Sequence, residues 1–143
     1  MKKKILIINA NYYKEISNKL IFSAKLILKK NNFKLDIVSV PGIFEIPYML
    51  NKYIKKYDGF LVLGCVIKGK TPHFDFICSS TFNSILNISI KHNKPVGNGI
   101  ITSLSLNQAL ERCSNSKKPT KPNKGLESAN AVIAVLNNEP EKS

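Results

Sequence analysis

Two short segments carry the side chains that could do chemistry: residues 40–47, Val-Pro-Gly-Ile-Phe-Glu-Ile-Pro, and residues 64–75, Gly-Cys-Val-Ile-Lys-Gly-Lys-Thr-Pro-His-Phe-Asp. The first sets an aromatic ring, Phe44, beside a carboxylate, Glu45. The second sets the backbone amide of Gly69 and the hydroxyl of Thr71 close to the imidazole of His73. Amides at a helix start can hold an anion, and an imidazole can move protons near neutral pH. Together the two segments predict a pocket for a polar heterocycle beside a phosphate.

Each of these features also has a simpler interpretation. A single histidine such as His73 is often a capping or packing residue, and residues 69–71 could form an ordinary turn. Phe44 could be a core residue, and Glu45 could be a carboxylate favoured by a helix start. Arg112 is the only arginine among 22 basic residues. Its planar fork suits phosphate, although a surface residue near a helix end is equally compatible with its position.

The elements that must position these groups alternate between strands and helices. Apolar runs predict strands at residues 4–9, 33–40, 60–66 and 96–101. Helical spacing predicts helices at residues 16–30, 44–54, 75–90, 106–110 and 123–137, with Asp75 and Ser105 as caps. This alternation indicates one α/β domain over residues 1–143, with a parallel sheet and helices on both faces. The candidate residues then fall at the carboxyl ends of strands, where open sheets of this kind bind ligands.

Composition narrows the classes of function. The net charge of +13 invites a nucleic-acid-binding interpretation. However, the basic residues are scattered lysines with a single arginine, whereas base readout favours arginine, so we expect no specific nucleic-acid partner. The three cysteines form no Cys-x-x-Cys pair and fit reduced packing residues, and no dinucleotide or P-loop motif occurs. We therefore expect no metal site and no dinucleotide or ATP site.

Hydrophobicity bears on location. No apolar run approaches the ~20 residues of a membrane span. The apolar stretch near the start, residues 5–8, is shorter than the ~7–15 residues of a signal peptide core. We expect a cytoplasmic protein with no membrane partner.

The motifs resemble those of the lumazine synthase family. Residues 40–47 match its Val-Pro-Gly-x-Phe-Glu-Ile-Pro hallmark, and residues 64–75 match its Gly-x-Val-Ile-(Lys/Arg)-Gly-x-Thr-x-His-(Phe/Tyr)-Asp hallmark. The sequences Gln-Ala-Leu-Glu-Arg at 108–112 and Asn-Lys-Gly at 123–125 complete the set. The resemblance extends from about residue 5 to residue 135.

This resemblance implies a flavodoxin-like three-layer sandwich with a four-stranded parallel sheet, assembled as a homopentamer with active sites between subunits. It implies a cofactor-free condensation of 5-amino-6-(D-ribitylamino)uracil with 3,4-dihydroxy-2-butanone 4-phosphate. The product is 6,7-dimethyl-8-ribityllumazine, in the penultimate step of riboflavin biosynthesis. A nucleic-acid-binding module and a flavin- or lumazine-binding protein of the same fold are the competing interpretations.

The resemblance also implies a role for individual residues. His73 matches the histidine that transfers protons. The positions that match substrate-binding residues are Tyr12, Phe44, Glu45, Val66, Ile67, Gly69, Lys70, Thr71, Asn98, Arg112 and Lys124. Within this set, Tyr12 matches the aromatic that stacks on the pyrimidine. Arg112 and Lys124 match residues that reach into a neighbouring subunit's site.

Three features depart from the family pattern. Tyr13 stands where asparagine is usual, and Asn98 stands where an aromatic is common. The stretch from residue 112 to residue 124 is about four residues longer than in capsid-forming relatives. Its lysines and prolines would repel and misfit facing pentamers, and little sequence precedes the first strand. We therefore expect a free pentamer rather than a capsid.

Overall fold

A four-stranded parallel sheet forms the centre of the protein. The structure is a computed structural model that describes residues 2–115 and 123–142. The strands are β1 (Lys4–Ala10), β2 (Lys34–Val40), β3 (Gly59–Ile67) and β4 (Val96–Ser103), in the order β2-β1-β3-β4. The helices are α1 (Lys14–Lys30), α2 (Ile46–Tyr53), α3 (His73–His92), α4 (Leu106–Arg112) and α5 (Lys124–Asn137), and a 3-10 turn, Ile43–Glu45, precedes α2. The predicted α/β class, sheet and helix order are confirmed.

Side chains of β3 alternate between two separate cores. Leu61 and Leu63 pack with residues of α1, α4 and α5 on one face of the sheet. Phe60 and Val62 pack with residues of α2, α3 and the 3-10 turn on the other face. Because both faces are covered, β3 is apolar along its whole length, which is the pattern that predicted it as a buried strand. The protein is therefore a three-layer sandwich.

The parallel pairing brings all four strand ends to one edge. β1 runs beside β2 from the Lys4–Lys34 pair to the Ala10–Val40 pair. β3 runs beside β4 as far as Ile67 and Ser103. The loops that follow the strands therefore emerge together, and they contain most of the candidate site residues.

The sequence predicted the cap residues of two helices, and the structure confirms one of them. Ser105 caps α4 as predicted, since its Oγ accepts a hydrogen bond from the Gln108 N–H at 3.2 Å. The prediction that Asp75 caps α3 is wrong, because the helix begins at His73 with Pro72 as its N-cap residue. The proline ring holds its φ at −70°, close to the helical value, so the chain turns into the helix before Asp75 is reached. Asp75 lies instead in the first turn, where the helix dipole stabilises a carboxylate.

All three cysteines are free thiols in buried positions. Burial raises the pKa of Cys65 to about 12, with a smaller contribution from Cys113. They are packing residues, as their apolar surroundings in the sequence predicted. None of the described helices combines the length and apolar composition that crossing a bilayer requires.

Candidate active site

The loop after β1 presents an aromatic ring to solvent. Tyr12 is 74% exposed, and Tyr13 packs against it edge to face, with ring centroids 4.9 Å apart and planes at 73°. Tyr13 itself packs against the core formed with α1. Burial raises the pKa of Tyr13, so the phenol stays neutral at physiological pH. Tyr13 therefore supports the outward ring of Tyr12.

The loop after β2 places a second ring and a carboxylate on the 3-10 turn. Ile43 is buried and anchors this turn, whereas Phe44 is 65% exposed. The Gly42 N–H donates to Glu45 Oε1 at 2.9 Å, which closes the turn. This bond fixes the direction of the carboxylate and uses one of its oxygens. The other oxygen can accept a hydrogen bond from a ligand hydroxyl.

The loop after β3 forms an open turn ahead of α3. Val66 and Ile67, the last residues of β3, are partly buried, and the Lys68 N–H donates to the Ser103 carbonyl at 2.9 Å. This bond ties the start of the loop to the end of β4. Residues 69–71, the predicted phosphate turn, are all exposed, and a Cβ built on Gly69 would meet nothing within 4 Å. Backbone amides can therefore be approached there without steric hindrance.

His73 is the first residue of α3 and is exposed to solvent. Its backbone N–H donates to Thr71 Oγ1 at 3.4 Å, a long bond that links the turn to the helix. The imidazole thus lies at a helix N-terminus, directly after the open turn formed by residues 69–71. The arrangement suits proton transfer next to a bound anion.

Two cationic side chains meet beyond β4. Arg112 ends α4 and Lys124 begins α5, and both line a small pocket of about 130 Å³ with Ile100, Ile101 and Thr102 of β4. This arginine and this lysine lie 12 positions apart in the sequence, yet the fold brings them to one place. The pocket is therefore a candidate anion site.

Asn98 does not line this pocket, and neither do Phe44 and His73. Asn98 is exposed, and its Oδ1 accepts a hydrogen bond from the Ile100 N–H at 3.0 Å. The side chain of Asn98 thus satisfies a backbone N–H of its own strand. Arg112 and Lys124 thus line one pocket, and the candidate residues that follow β1, β2 and β3 are not among its lining residues.

Sequence reasoning missed the residues that hold Lys124 in place. Asn123 caps α5, since its Oδ1 accepts from the Leu126 N–H at 3.0 Å. Its Nδ2 donates to Ser23 Oγ and to the Ser114 carbonyl, each at 3.0 Å, and lies 3.2 Å from Asn115 Oδ1. An asparagine before a helix is a recognisable cap signal, but nothing in the sequence indicates a bond to Ser23 of α1.

Gly125 follows Lys124 and allows α5 to lie directly on α1. A Cβ built on Gly125 would come within 2.5 Å of the Leu20 carbonyl oxygen and 3.1 Å of the Leu20 Cα. Backbone atoms cannot move aside as a flexible side chain can. The Asn-Lys-Gly sequence thus has a structural reason at each flanking position, and it presents Lys124 from a fixed backbone.

Comparison with known proteins agrees with these features. The sequence model of the 6,7-dimethyl-8-ribityllumazine synthase family matches residues 2–139. The chain belongs to this family. It is 40% identical to 6,7-dimethyl-8-ribityllumazine synthase of Campylobacter jejuni over 94% of its own length and 88% of that protein. The enzymes of the same name from Aliarcobacter butzleri and Sulfurovum are each 37% identical over 94% of this chain and 86–87% of theirs.

Membership of the lumazine synthase family confirms the resemblance that the two hallmark segments carry. Each segment runs from the carboxyl end of a strand, through a loop, to the start of the next helix. Among the described residues, no group of three or more histidine, cysteine or acidic side chains is placed to hold a metal ion. The part of the segment between Arg112 and Lys124 that carries its lysines and prolines, residues 116–122, lies outside the described residues.

Proposed function

We propose that this chain is a lumazine synthase. It would condense 5-amino-6-(D-ribitylamino)uracil with 3,4-dihydroxy-2-butanone 4-phosphate and release 6,7-dimethyl-8-ribityllumazine, phosphate and water. The observation that carries the proposal is the family match over residues 2–139, which includes both hallmark segments. We infer that it acts as a single domain in the cytoplasm.

The reaction needs positioning more than it needs a protein nucleophile. The 5-amino group of the uracil attacks the ketone, and loss of water gives an imine. Elimination of phosphate follows, and the ribitylamino nitrogen then closes the ring with loss of a second water. Because the amine belongs to the substrate, the protein has to hold two reactants together, exclude water and move protons.

The exposed groups at the carboxyl edge fit the uracil. The rings of Tyr12 and Phe44 are solvent-exposed and can stack on the pyrimidine. Glu45, oriented by the Gly42 N–H, can accept hydrogen bonds from ribityl hydroxyls. The backbone of Val66 and Ile67 ends β3 beside them and can contact the edge of the ring.

We infer that the loop before α3 and the first residue of α3 bind the phosphate and transfer protons. Gly69, Lys70 and Thr71 form an exposed turn that can hold the phosphate at the N-terminus of α3. His73, the first residue of α3, could transfer protons during imine formation and phosphate departure.

We further infer that each site is completed by a second copy of the chain, within a pentamer. The Arg112–Lys124 pocket does not include His73 or Phe44 of the same chain. These two cations would therefore complete the site formed by His73 and Phe44 of a neighbouring subunit. Asn98, on the same strand as Ile100, would approach the ring from that neighbour. One side of α3 leaves Phe76, Leu86 and Ile90 exposed, which favours a covering partner.

The assembly is tested by light scattering on the purified protein. A pentamer has a mass of about 80 kDa, five times the 16.0 kDa chain. A capsid-sized mass would show that the long segment after Arg112 does not block closure. A fully active monomer would refute the shared-site proposal.

The activity is tested by mixing the two substrates and following the lumazine absorbance with and without protein. A rate no greater than the uncatalysed background would refute the enzyme proposal. Tight binding of the lumazine product without turnover would favour a binding protein of this fold. Sequence-selective nucleic-acid binding at physiological salt, again without turnover, would favour the basic module.

A further inference from the structure

A second, larger pocket lies at the opposite edge of the sheet, where the strands begin. It has a volume of about 810 Å³, which is in the usual range for ligand pockets. Ammonium groups dominate its lining: Lys2, Lys4, Lys25, Lys29 and Lys34. None of the residues assigned to the reaction is among the lining residues.

The positive charge of this pocket is poorly compensated within the chain. The ion pairs formed by the described residues are Lys19–Glu15 and Lys124–Glu127, so none of the pocket lysines takes part in one. One carboxylate, Asp36, also lines the pocket, and it accepts a hydrogen bond from the Tyr57 hydroxyl at 2.7 Å. Five lysines thus line the pocket together with a single carboxylate, which already accepts a hydrogen bond. Their mutual repulsion is relieved if an anion enters.

The edge of the sheet adds neutral donors to the same pocket. β2 is an edge strand that pairs only with β1. The Lys34 N–H donates to the Lys3 carbonyl, and the Val40 carbonyl accepts from the Asn11 N–H, so even-numbered residues of β2 bond to β1. In a parallel ladder the intervening residues then point away from the partner. The N–H groups of Leu35 and Ile37, both of which line the pocket, are therefore directed outward.

We propose that this pocket binds a linear chain of phosphates, either free or as the polyphosphate tail of a nucleotide. Lysines from α1, β1, β2 and the N-terminal residues line a cavity of about 810 Å³, so an extended anion with several charged groups can meet more of them than one orthophosphate can. Lysine binds phosphate as a point charge, and the pocket contains no arginine, the side chain whose planar fork suits bidentate contacts to bases. Phe33 is buried, and Tyr57 is partly buried with its ring edge to face against Tyr53 and Phe60, so neither ring is presented as a stacking platform for the bases of a nucleic acid.

The experiment is calorimetric titration of the pentamer or whichever assembly is purified, with orthophosphate, tripolyphosphate and ATP as probes. The pocket variant is Lys25→Gln/Lys29→Gln/Lys34→Gln. The matched control, Lys52→Gln/Lys55→Gln/Lys91→Gln, removes the same charge from residues that do not line the pocket. We expect tripolyphosphate to bind the natural chain, to weaken at least about tenfold in the pocket variant, and to change less than about twofold in the control.

Salt provides a second measurement. Contact with three phosphates predicts a fall of roughly tenfold or more in affinity between 50 and 200 mM salt, and the pocket variant should flatten this slope. Equal affinity for ATP and tripolyphosphate assigns the site to the phosphate chain alone, whereas tighter ATP assigns it to a nucleotide. Both results support the proposal.

Three results would overturn it: no binding of tripolyphosphate, equal losses in the pocket and control variants, or loss of binding in Arg112→Gln but not in the pocket variant. The last would place the anion in the active site. Formation of lumazine should be unchanged in the pocket variant, because its lysines lie at the other edge of the sheet. That readout also shows that the variant folds.

Discussion

The variant Asn123→Ala tests whether the position of Lys124, and not only its charge, matters for stability and substrate binding. Asn123 is only 8% exposed and caps α5 through its Oδ1, while its Nδ2 donates to Ser23 and to the Ser114 carbonyl. Alanine removes all of these bonds. Lys124 keeps its own side chain and charge, but the backbone that presents it loses its anchor to α1.

The magnitude follows from the bonds removed. Loss of a helix cap costs about 1 kcal/mol, and each of the two Nδ2 bonds contributes about another 1 kcal/mol. We therefore expect the free energy of unfolding to fall by about 3 kcal/mol. For a chain of this length that corresponds to a decrease in melting temperature of about 10 °C. Asn123→Asp retains the cap acceptor but sets a carboxylate oxygen against the Ser114 carbonyl and Asn115 Oδ1, so it should destabilise the protein at least as much as alanine does.

The assays are denaturant unfolding and steady-state kinetics with each substrate varied in turn. Ser105→Ala is the control, since it removes the cap of α4 without comparable side-chain anchors and should cost about 1 kcal/mol. In Asn123→Ala we expect the Michaelis constant for the phosphorylated substrate to rise roughly tenfold, about 1.4 kcal/mol of binding, and that for the uracil to change little. The reasoning is refuted if Asn123→Ala and Ser105→Ala destabilise equally, or if both Michaelis constants rise together.

Four further predictions concern single side chains. His73→Ala should lower turnover by up to ~10²-fold and flatten its pH profile, yet leave substantial activity, since holding the reactants together survives the change; an unaltered profile would remove His73 from proton transfer. Arg112→Lys should raise the Michaelis constant of the phosphorylated substrate more than that of the uracil, because lysine keeps the charge but lacks the fork, and equal changes would make Arg112 structural. Lys124→Gln should lower activity at least about tenfold while altering the free energy of unfolding by less than about 0.5 kcal/mol; a larger loss of stability would mean that the lysine is structural. Cys65, whose pKa burial raises from 9.0 to about 12, should resist alkylation at pH 8 until the protein unfolds, and stability should fall as pH rises above 9, where only the unfolded thiol ionises; rapid alkylation of the native protein would contradict its burial.

The fold was predictable because local pattern and global packing agree. β3 is apolar throughout since α1 and α5 cover one face and α2 and α3 the other, and the sequence reports that directly. The start of α3 was misplaced because a cap signal at Asp75 competes with a proline that turns the chain earlier. Capping patterns are short and several can occur within one turn, so they locate a helix better than they locate its first residue.

The elements that carry the candidate site residues were predictable from the sequence, but the contacts that hold those elements together were not. The topology alone places Phe44, Glu45 and His73 at one edge, because parallel strands end together. The Asn123–Ser23 bond joins residues 100 positions apart, and the packing of Gly125 on Leu20 joins backbones of two helices. Such contacts depend on how α5 lies against α1, which no local pattern specifies.

Lys124 occupies a position that helix stability does not favour. It is the first residue of α5, where the helix dipole favours an acidic side chain and disfavours a cation. Glu127, one turn on, lies 3.4 Å from the ammonium and offsets part of this cost, but both side chains are partly exposed and the pair contributes little. Folding therefore gains nothing from this lysine. Its charge instead adds to the positive end of the helix and to Arg112 across the same pocket, so that three sources of positive potential converge on a space that an anion would neutralise. The phosphate that we propose for this pocket would offset the repulsion, so the proposed function gives a reason for this placement that stability does not.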